Sequence, residues 1–190
     1  MYLFLDTETT GLPRNYNAPI TDLENWPRIL KIAWLLCDNS EKILDSKDYI
    51  IKPRGFTIPK SAIRIHGIST EKALNDGINI RIALKKFLNS LQDANYLIAH
   101  NFNFDEKILS AEFLRENLEI PFKGIKKICV MRSSAEYCKI PGIHGYKWPS
   151  LTELYFKLFN SNFKEAHNAK TDVVACAKCY FELKKIGALI

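Results

Sequence analysis

Residues 4–12 read FLDTETTGL, and with Met1-Tyr2-Leu3 ahead of them they set two acids, Asp6 and Glu8, at the mouth of an apolar run. Residues 2–8 are apolar or β-prone at nearly every position, the pattern of a central strand buried on both faces. Thr9-Thr10-Gly11 ends it. Alternate side chains of a strand share a face, so Asp6 and Glu8 project together, roughly 7 Å apart along the strand. Two like charges so placed repel; they either share a proton, each raising the other's pKa, or are held ionised by a cation. The turn puts the pair at the carboxyl end of a central strand, where open sheets bind ligands. A solvated strand end can carry the same D-x-E, so the pair gains meaning only from partners elsewhere in the chain.

Outward from that strand, Arg28–Asp38 (RILKIAWLLCD) and Lys42–Ile51 predict two more strands, with Asp38-Asn39-Ser40-Glu41 as a hairpin turn between them. The sheet therefore begins antiparallel. Helical patterns follow over Ile58–Ile65, Thr70–Asn75 and Ile78–Leu91, the last with Ile78, Ile82, Leu84, Phe87, Leu88 and Leu91 along one side. Tyr96–Ala99 is a short strand, and Phe104–Leu118 behind it carries Phe104, Ile108, Ala111 and Leu114 at helical spacing, which makes a βα unit. Lys126–Val130 is a weaker strand, and helices are expected over Arg132–Cys138, Ser150–Phe159 and Asn168–Lys185, with Asn168 as N-cap of the last. Antiparallel strands followed by alternating strands and helices give an α/β fold: a mixed sheet with helices on its faces. The length, 190 residues with 47% hydrophobic, suits one globular domain over residues 1–190 with a sizeable core. Pro13–Pro27, rich in Asn and Pro and carrying Trp26, reads as a long surface loop.

A net charge of +6 and a pI near 9.0 favour a polyanionic partner such as nucleic acid. No apolar stretch approaches bilayer length, and neither a basic lead nor a cleavage site precedes the first strand, so a cytoplasmic protein without membrane attachment is expected. Five cysteines, at 37, 129, 138, 176 and 179, fit reduced thiols. Cys176 and Cys179 spell C-x-x-C, but inside a helical pattern and without a second ligand pair, so buried or idle thiols are a better reading than zinc or redox chemistry.

Two further acids stand near element ends. His100-Asn101-Phe102-Asn103-Phe104-Asp105 puts Asp105 in the first turn of the helix after Tyr96–Ala99, where the helix dipole alone would favour it. His167-Asn168-Ala169-Lys170-Thr171-Asp172 separates histidine from acid by five residues, about 140° on a helix, so His167 belongs to the loop and Asp172 to the first turn. Each has an ordinary capping explanation. Together, Asp6, Glu8, Asp105 and Asp172 form an oxygen-rich set that suits hard divalent cations, Mg²⁺ or Mn²⁺, rather than Zn²⁺. Two such ions would offset four carboxylates, and a pair roughly 4 Å apart is the device for in-line attack on a phosphodiester. His167, with a reference pKa near 6.5, suits the general base.

Phe4-Leu5-Asp6-Thr7-Glu8-Thr9-Thr10-Gly11, His100-Asn101-x-x-Phe104-Asp105 and His167-Asn168-Ala169-x-x-Asp172 resemble the three motifs of the DEDDh exonucleases, which include the proofreading subunit of DNA polymerase III and ribonuclease T. Pro59-x-x-Ala62-x-x-Ile65-His66-Gly67-Ile68-Ser69 resembles a further segment of that family. The resemblance implies a ribonuclease H-like fold, a mixed five-stranded sheet whose first three strands are antiparallel. It also implies release of nucleoside 5′-monophosphates from single-stranded 3′ ends of nucleic acid, with DNA the expected polymer and RNA the alternative. On that basis Asp6, Glu8, Asp105 and Asp172 correspond to the ligands of two metal ions, Asp6 bridging them, and His167 to the base. Thr9 and Leu12 correspond to positions that hold the terminal nucleotide, the first by its backbone N–H and the second by packing on the base. His66 either approaches the substrate or caps its own turn.

Pro13–Pro27 is longer than the equivalent turn in many relatives and starts beside Leu12, so either Trp26 or Tyr16 stacks on nucleotides or the tryptophan folds onto the sheet. The basic tract Lys123–Lys147 is a candidate track for upstream phosphates. No extension past residue 190 and no Q-x-x-L-F segment is visible, which favours a free-standing enzyme over a polymerase subunit, with a homodimer left open. The rival readings are a catalytically silent nucleic-acid-binding or polymerase-associated module and an RNA-trimming exoribonuclease. The presence of all five catalytic residue types argues against the silent module.

Overall fold

Apolar side chains on both faces send Tyr2–Thr9 (β1) to the middle of a five-stranded sheet. The structure, a computed structural model, describes residues 1–163 and 166–189. Ile29–Cys37 (β2) pairs antiparallel with β1, and Ile43–Ile50 (β3) antiparallel with β2. Tyr96–Ala99 (β4) lies parallel on the other side of β1, and Lys126–Cys129 (β5) parallel beyond it, giving the order β3-β2-β1-β4-β5. The β2–β3 turn is held by Asp38, whose Oδ1 accepts the Ser40 and Lys42 N–H groups at 2.8 and 3.0 Å. The mixed sheet and the antiparallel first three strands are as expected.

Eight helices accompany the sheet among the described residues: Lys60–His66 (α1), Thr70–Asp76 (α2), Ile80–Gln92 (α3), Phe102–Arg115 (α4), Val130–Ser133 (α5), Ala135–Cys138 (α6), Leu151–Phe159 (α7) and Ala169–Lys185 (α8). The β1 alternation decides which layer sees what. Leu3 and Leu5 join Ile32, Trp34 and Leu97 beneath α3 and α4, through Leu84, Phe87, Ile108 and Leu109. Tyr2 and Phe4 join Ala33, Leu35 and Ile98 beneath α8, through Val173, Cys176, Tyr180 and Leu183. Asp6 and Glu8 continue the Tyr2–Phe4 face towards the carboxyl end of β1, and Thr7 continues the opposite one.

Several boundaries differ from the sequence reading for local reasons. Helix α3 starts at Ile80 because Ile78 is spent on a parallel bridge to Ile51, and Asn79 caps the helix by accepting the Arg81 N–H at 2.9 Å. Helix α4 starts two residues early, at Phe102, and ends at Arg115, before Asn117 turns left-handed at φ 51°. The helix expected over Arg132–Cys138 is two single turns split at Ser134, whose hydroxyl donates back to the Val130 carbonyl at 2.7 Å. An unexpected hairpin, Pro141–Gly142 (β6) with Gly145–Tyr146 (β7), follows. All five cysteines are free, and Cys176 and Cys179 are buried on α8, where desolvation pushes both thiols up, against zinc or redox use. No helix among the described residues is long and apolar enough to cross a membrane.

Candidate active site

At the carboxyl end of β1, Asp6, Glu8 and Asp172 each offer an oxygen within 4.8 Å of the others. Asp6 and Glu8 reach that point along one strand face, and Asp172 from the first turn of α8. Asn168 starts that helix by accepting the Lys170 N–H at 3.3 Å. His167 precedes it in a left-handed conformation, φ 68°, held by its own N–H donating to Asp172 Oδ2 at 3.0 Å. A non-glycine residue there is strained, and the bond to the carboxylate fixes the loop against that strain. Asp105, in the first turn of α4 and 4% exposed, lies outside the three-oxygen group but beside Asp6. Its Oδ1 accepts the Thr7 hydroxyl at 2.8 Å. The structure thus brings together all four predicted acids, from three separated segments.

The protein environment resists four charges there. Burial, then Asp105, Asp172 and Glu8, raise the Asp6 pKa well above its ordinary value, with Lys31 working the other way. Burial, then Asp172, carry Glu8 up to about 8. Asp105 rises to about 7 through burial, with the Thr7 hydroxyl opposing, and Asp172 to about 6 through burial, with the His167 N–H opposing. Asp172 Oδ1 is buried and has no hydrogen-bond partner among the described residues. An orphaned buried oxygen amid desolvated carboxylates fits a hard cation, which would restore the ionised forms. Sequence reasoning missed Lys31, which stands opposite Glu8 in the β1–β2 register. Its Nζ donates to Asn168 Oδ1 at 2.8 Å and pairs with Asp48 at 3.1 Å, tying the start of α8 to the sheet.

The acids open into a cleft of about 460 Å³. From the α4 side come Leu12, Tyr16 and Phe104, and from the α7–α8 side Ser150, Leu151 and His167. A larger groove, about 840 Å³, lies by the start of β4 and β5 and is lined by no carboxylate. Leu12 is 72% exposed in the cleft, while Thr9 and His66 do not line it. Thr9 is buried with its hydroxyl on the Gly11 carbonyl at 2.7 Å, and His66 Nδ1 caps its turn by accepting the Ile68 N–H at 3.0 Å, while its buried Nε2 has no hydrogen-bond partner among the described residues. Trp26 does not reach the cleft: it is 2% exposed, donates to the Pro19 carbonyl and packs into the core, leaving Tyr16 as the loop's aromatic contribution. The basic tract is divided as well. Lys126 is level with Tyr2 across β4, four residues and about 13 Å of strand below Asp6, and Lys127 is paired with Glu106.

Residues 3–180 match the exonuclease family, RNase_T. The chain belongs to that family. Among curated relatives of this chain, the PolC-type DNA polymerase III of Ureaplasma parvum serovar 3 is 26% identical over 184 residues, which is 96% of this chain and 11% of the polymerase. The fold matches E. coli Exonuclease I in complex with a dT13 oligonucleotide, with a TM-score of 0.74 at 20% identity over 96% of this chain and 40% of that one. It also matches the nuclease domain of 3′hExo, a DEDDh family member bound to rAMP, with a TM-score of 0.75 at 17% identity over 100% of this chain and 94% of that one. The chain therefore spans about a tenth of the polymerase and two fifths of Exonuclease I.

Proposed function

We propose that residues 1–190 act as one metal-dependent exonuclease domain that removes nucleotides from 3′ ends, releasing nucleoside 5′-monophosphates. The observation that carries this reading is the convergence of the Asp6, Glu8 and Asp172 oxygens within 4.8 Å, with Asp105 beside Asp6, at the floor of an open cleft. Asp6, Glu8 and Asp172 would hold one Mg²⁺ or Mn²⁺, and Asp6 with Asp105 a second. Bound there, the ions supply the charge that activates a water and stabilises the leaving oxygen. His167, exposed on the cleft wall, takes the water's proton. Its backbone bond to Asp172 keeps it over the acids. Leu12, 72% exposed in the cleft, packs on the terminal base. The solved relatives carry a DNA oligonucleotide in one case and rAMP in the other, so both polymers are substrates to test.

Matched 5′-labelled DNA and RNA oligonucleotides, single-stranded and duplex, incubated with Mg²⁺ or Mn²⁺, should shorten from the 3′ end. Asp6→Ala, Asp105→Ala and Asp172→Ala should each nearly abolish shortening. His167→Ala should slow it about 10²- to 10⁴-fold, flatten its pH profile and leave metal binding intact. Binding without shortening would instead favour the silent module. The PolC-type relative supports a second reading, proofreading beside a replicative polymerase; copurification with a polymerase would favour it.

A further inference from the structure

Residues 141–148, the β6–β7 hairpin and the segment after it, are all exposed and carry Ile143, Tyr146 and Trp148 at 94%, 45% and 55% exposure. Large apolar side chains are costly to leave in water, and this run leads through Pro149 into Ser150 and Leu151 of the cleft wall. Pro149 is buried, and its carbonyl accepts His100 Nε2–H at 3.0 Å, which pins the segment to the end of β4. The next residues, Ser150 and Leu151, line the cleft, so the Trp148 Cα lies at most ~7 Å from that of Ser150. From the other side, Met131 lines the cleft, and its neighbour Arg132 lays a guanidinium 4.9 Å from the centroid of the Trp148 ring. The ring is thus braced by a cation, two residues from the cleft wall, and a little over half exposed.

We infer that Trp148, backed by Arg132, is a stacking platform for a base of the single strand entering the cleft, several nucleotides upstream of the bond cut at the acids. An aromatic face with an adjacent cation fits a nucleotide by its chemistry: the base stacks on the indole and the guanidinium meets the phosphate. Charge agrees: Arg132 lies over the ring and the chain carries +6 overall, although Lys147 is spent on Glu153 at 2.6 Å. Every base has a π-face, so the platform adds affinity without sequence preference. It rests on the exonuclease reading for the strand's direction but is testable apart from it.

Of three tryptophans, Trp26 and Trp34 are 2% and 0% exposed, so only Trp148 can report a base by fluorescence. A dodecamer with phosphorothioate linkages at its 3′ end, as DNA or as RNA, should quench tryptophan emission in Mg²⁺ as it binds. Trp148→Ala should weaken binding of the better polymer about 5- to 150-fold, the range of one lost base–aromatic stack. Trp148→Phe should lose the quenching but keep most of the affinity. Quenching by neither polymer, or Trp148→Ala binding within threefold of the parent, overturns the platform. Self-association of the parent that Trp148→Ala disperses, without quenching, overturns it too and assigns the face to a second copy. Cleavage of the unmodified dodecamer is assayed alongside: cleavage without quenching sinks the platform alone, and quenching without cleavage sinks the exonuclease reading alone.

Discussion

Thr7 lies between Asp6 and Glu8 yet points to the other face of β1, where its hydroxyl donates to Asp105 Oδ1 at 2.8 Å. That bond favours the charged carboxylate and opposes the burial that lifts Asp105 to about 7. Thr7→Val keeps the shape and the β-branched fit to the strand but leaves a buried acceptor unmet. A hydrogen bond to a charged group is worth roughly 1.5–3 kcal/mol, so cleavage near pH 7 should fall about 10- to 150-fold. Because the Asp105 pKa would rise, the acidic limb of the pH–rate profile should move upward and part of the loss should return at pH 9. A parent-like rate and profile in a pH titration of single-turnover cleavage would remove Thr7 from this role. The acids themselves were legible in sequence because each sits where an apolar or helical pattern begins or ends. Thr7 and Lys31 were not, since their partners lie 98 and 137 residues away and are set only by strand register and helix docking.

Helix α4 fastens the long loop at the element scale. Glu112, 1% exposed, accepts from Arg28 Nε at 2.8 Å, Arg115 Nη1 at 2.9 Å and the Ile29 N–H at 3.2 Å. Arg115 in turn donates to the Leu23 and Trp26 carbonyls, both at 2.6 Å, and Asn15 and Asn25 exchange bonds across the loop at 2.8 and 2.9 Å. The loop was foreseen as long and exposed, but its composition could not say that a buried carboxylate braces it or that Trp26 would turn inward. The β6–β7 hairpin was missed for a different reason: two-residue strands are too short for any alternation to register. Glu112→Ala would leave two guanidiniums without their shared partner, and breaking a buried pair this way costs about 3–5 kcal/mol. Urea unfolding should show that loss. KM for an oligonucleotide should rise as Leu12 and Tyr16 lose their footing. A cost below about 1 kcal/mol, the scale of an exposed pair, would mean that the network is not what holds the loop.

For the whole molecule, the acids set up a conflict between folding and chemistry that metal resolves. Glu8 at about 8 and Asp105 at about 7, with Asp6 also raised, keep protons in the folded, metal-free protein that the unfolded chain has already released near its ordinary carboxylate values of 3.8 and 4.5. Where the folded state binds more protons than the unfolded one, stability falls as pH rises. His100 pushes the opposite way, because its buried ring, lowered to about 4, is neutral in the fold and its unfolded value is 6.5, but that contribution is complete by pH 7. Overall charge also opposes the acids, since a chain of net +6 loses self-repulsion as pH approaches its pI near 9.0. Between pH 7 and 8.5, then, a fall in stability belongs mainly to the acids, with the raised thiols of Cys37, Cys138, Cys176 and Cys179 adding to it towards the upper end, near their ordinary 9.0. In EDTA the melting temperature should drop across that interval, with a slope of up to about 1.4 kcal/mol per pH unit for each proton released. Mg²⁺ at a fixed concentration a hundredfold over its pH 7 Kd should restore about 2.7 kcal/mol at pH 7, or about 5–10 °C for a chain of this size, and more at pH 8.5, where fewer protons compete for the acids. The double variant Glu8→Gln, Asp105→Asn should drop less in melting temperature from pH 7 to 8.5 than the parent and respond more weakly to Mg²⁺. A melting temperature in EDTA that holds steady or climbs from pH 7 to 8.5 would mean the acids are not desolvated as described, and the case for a cation at the floor of the cleft would lose its electrostatic basis.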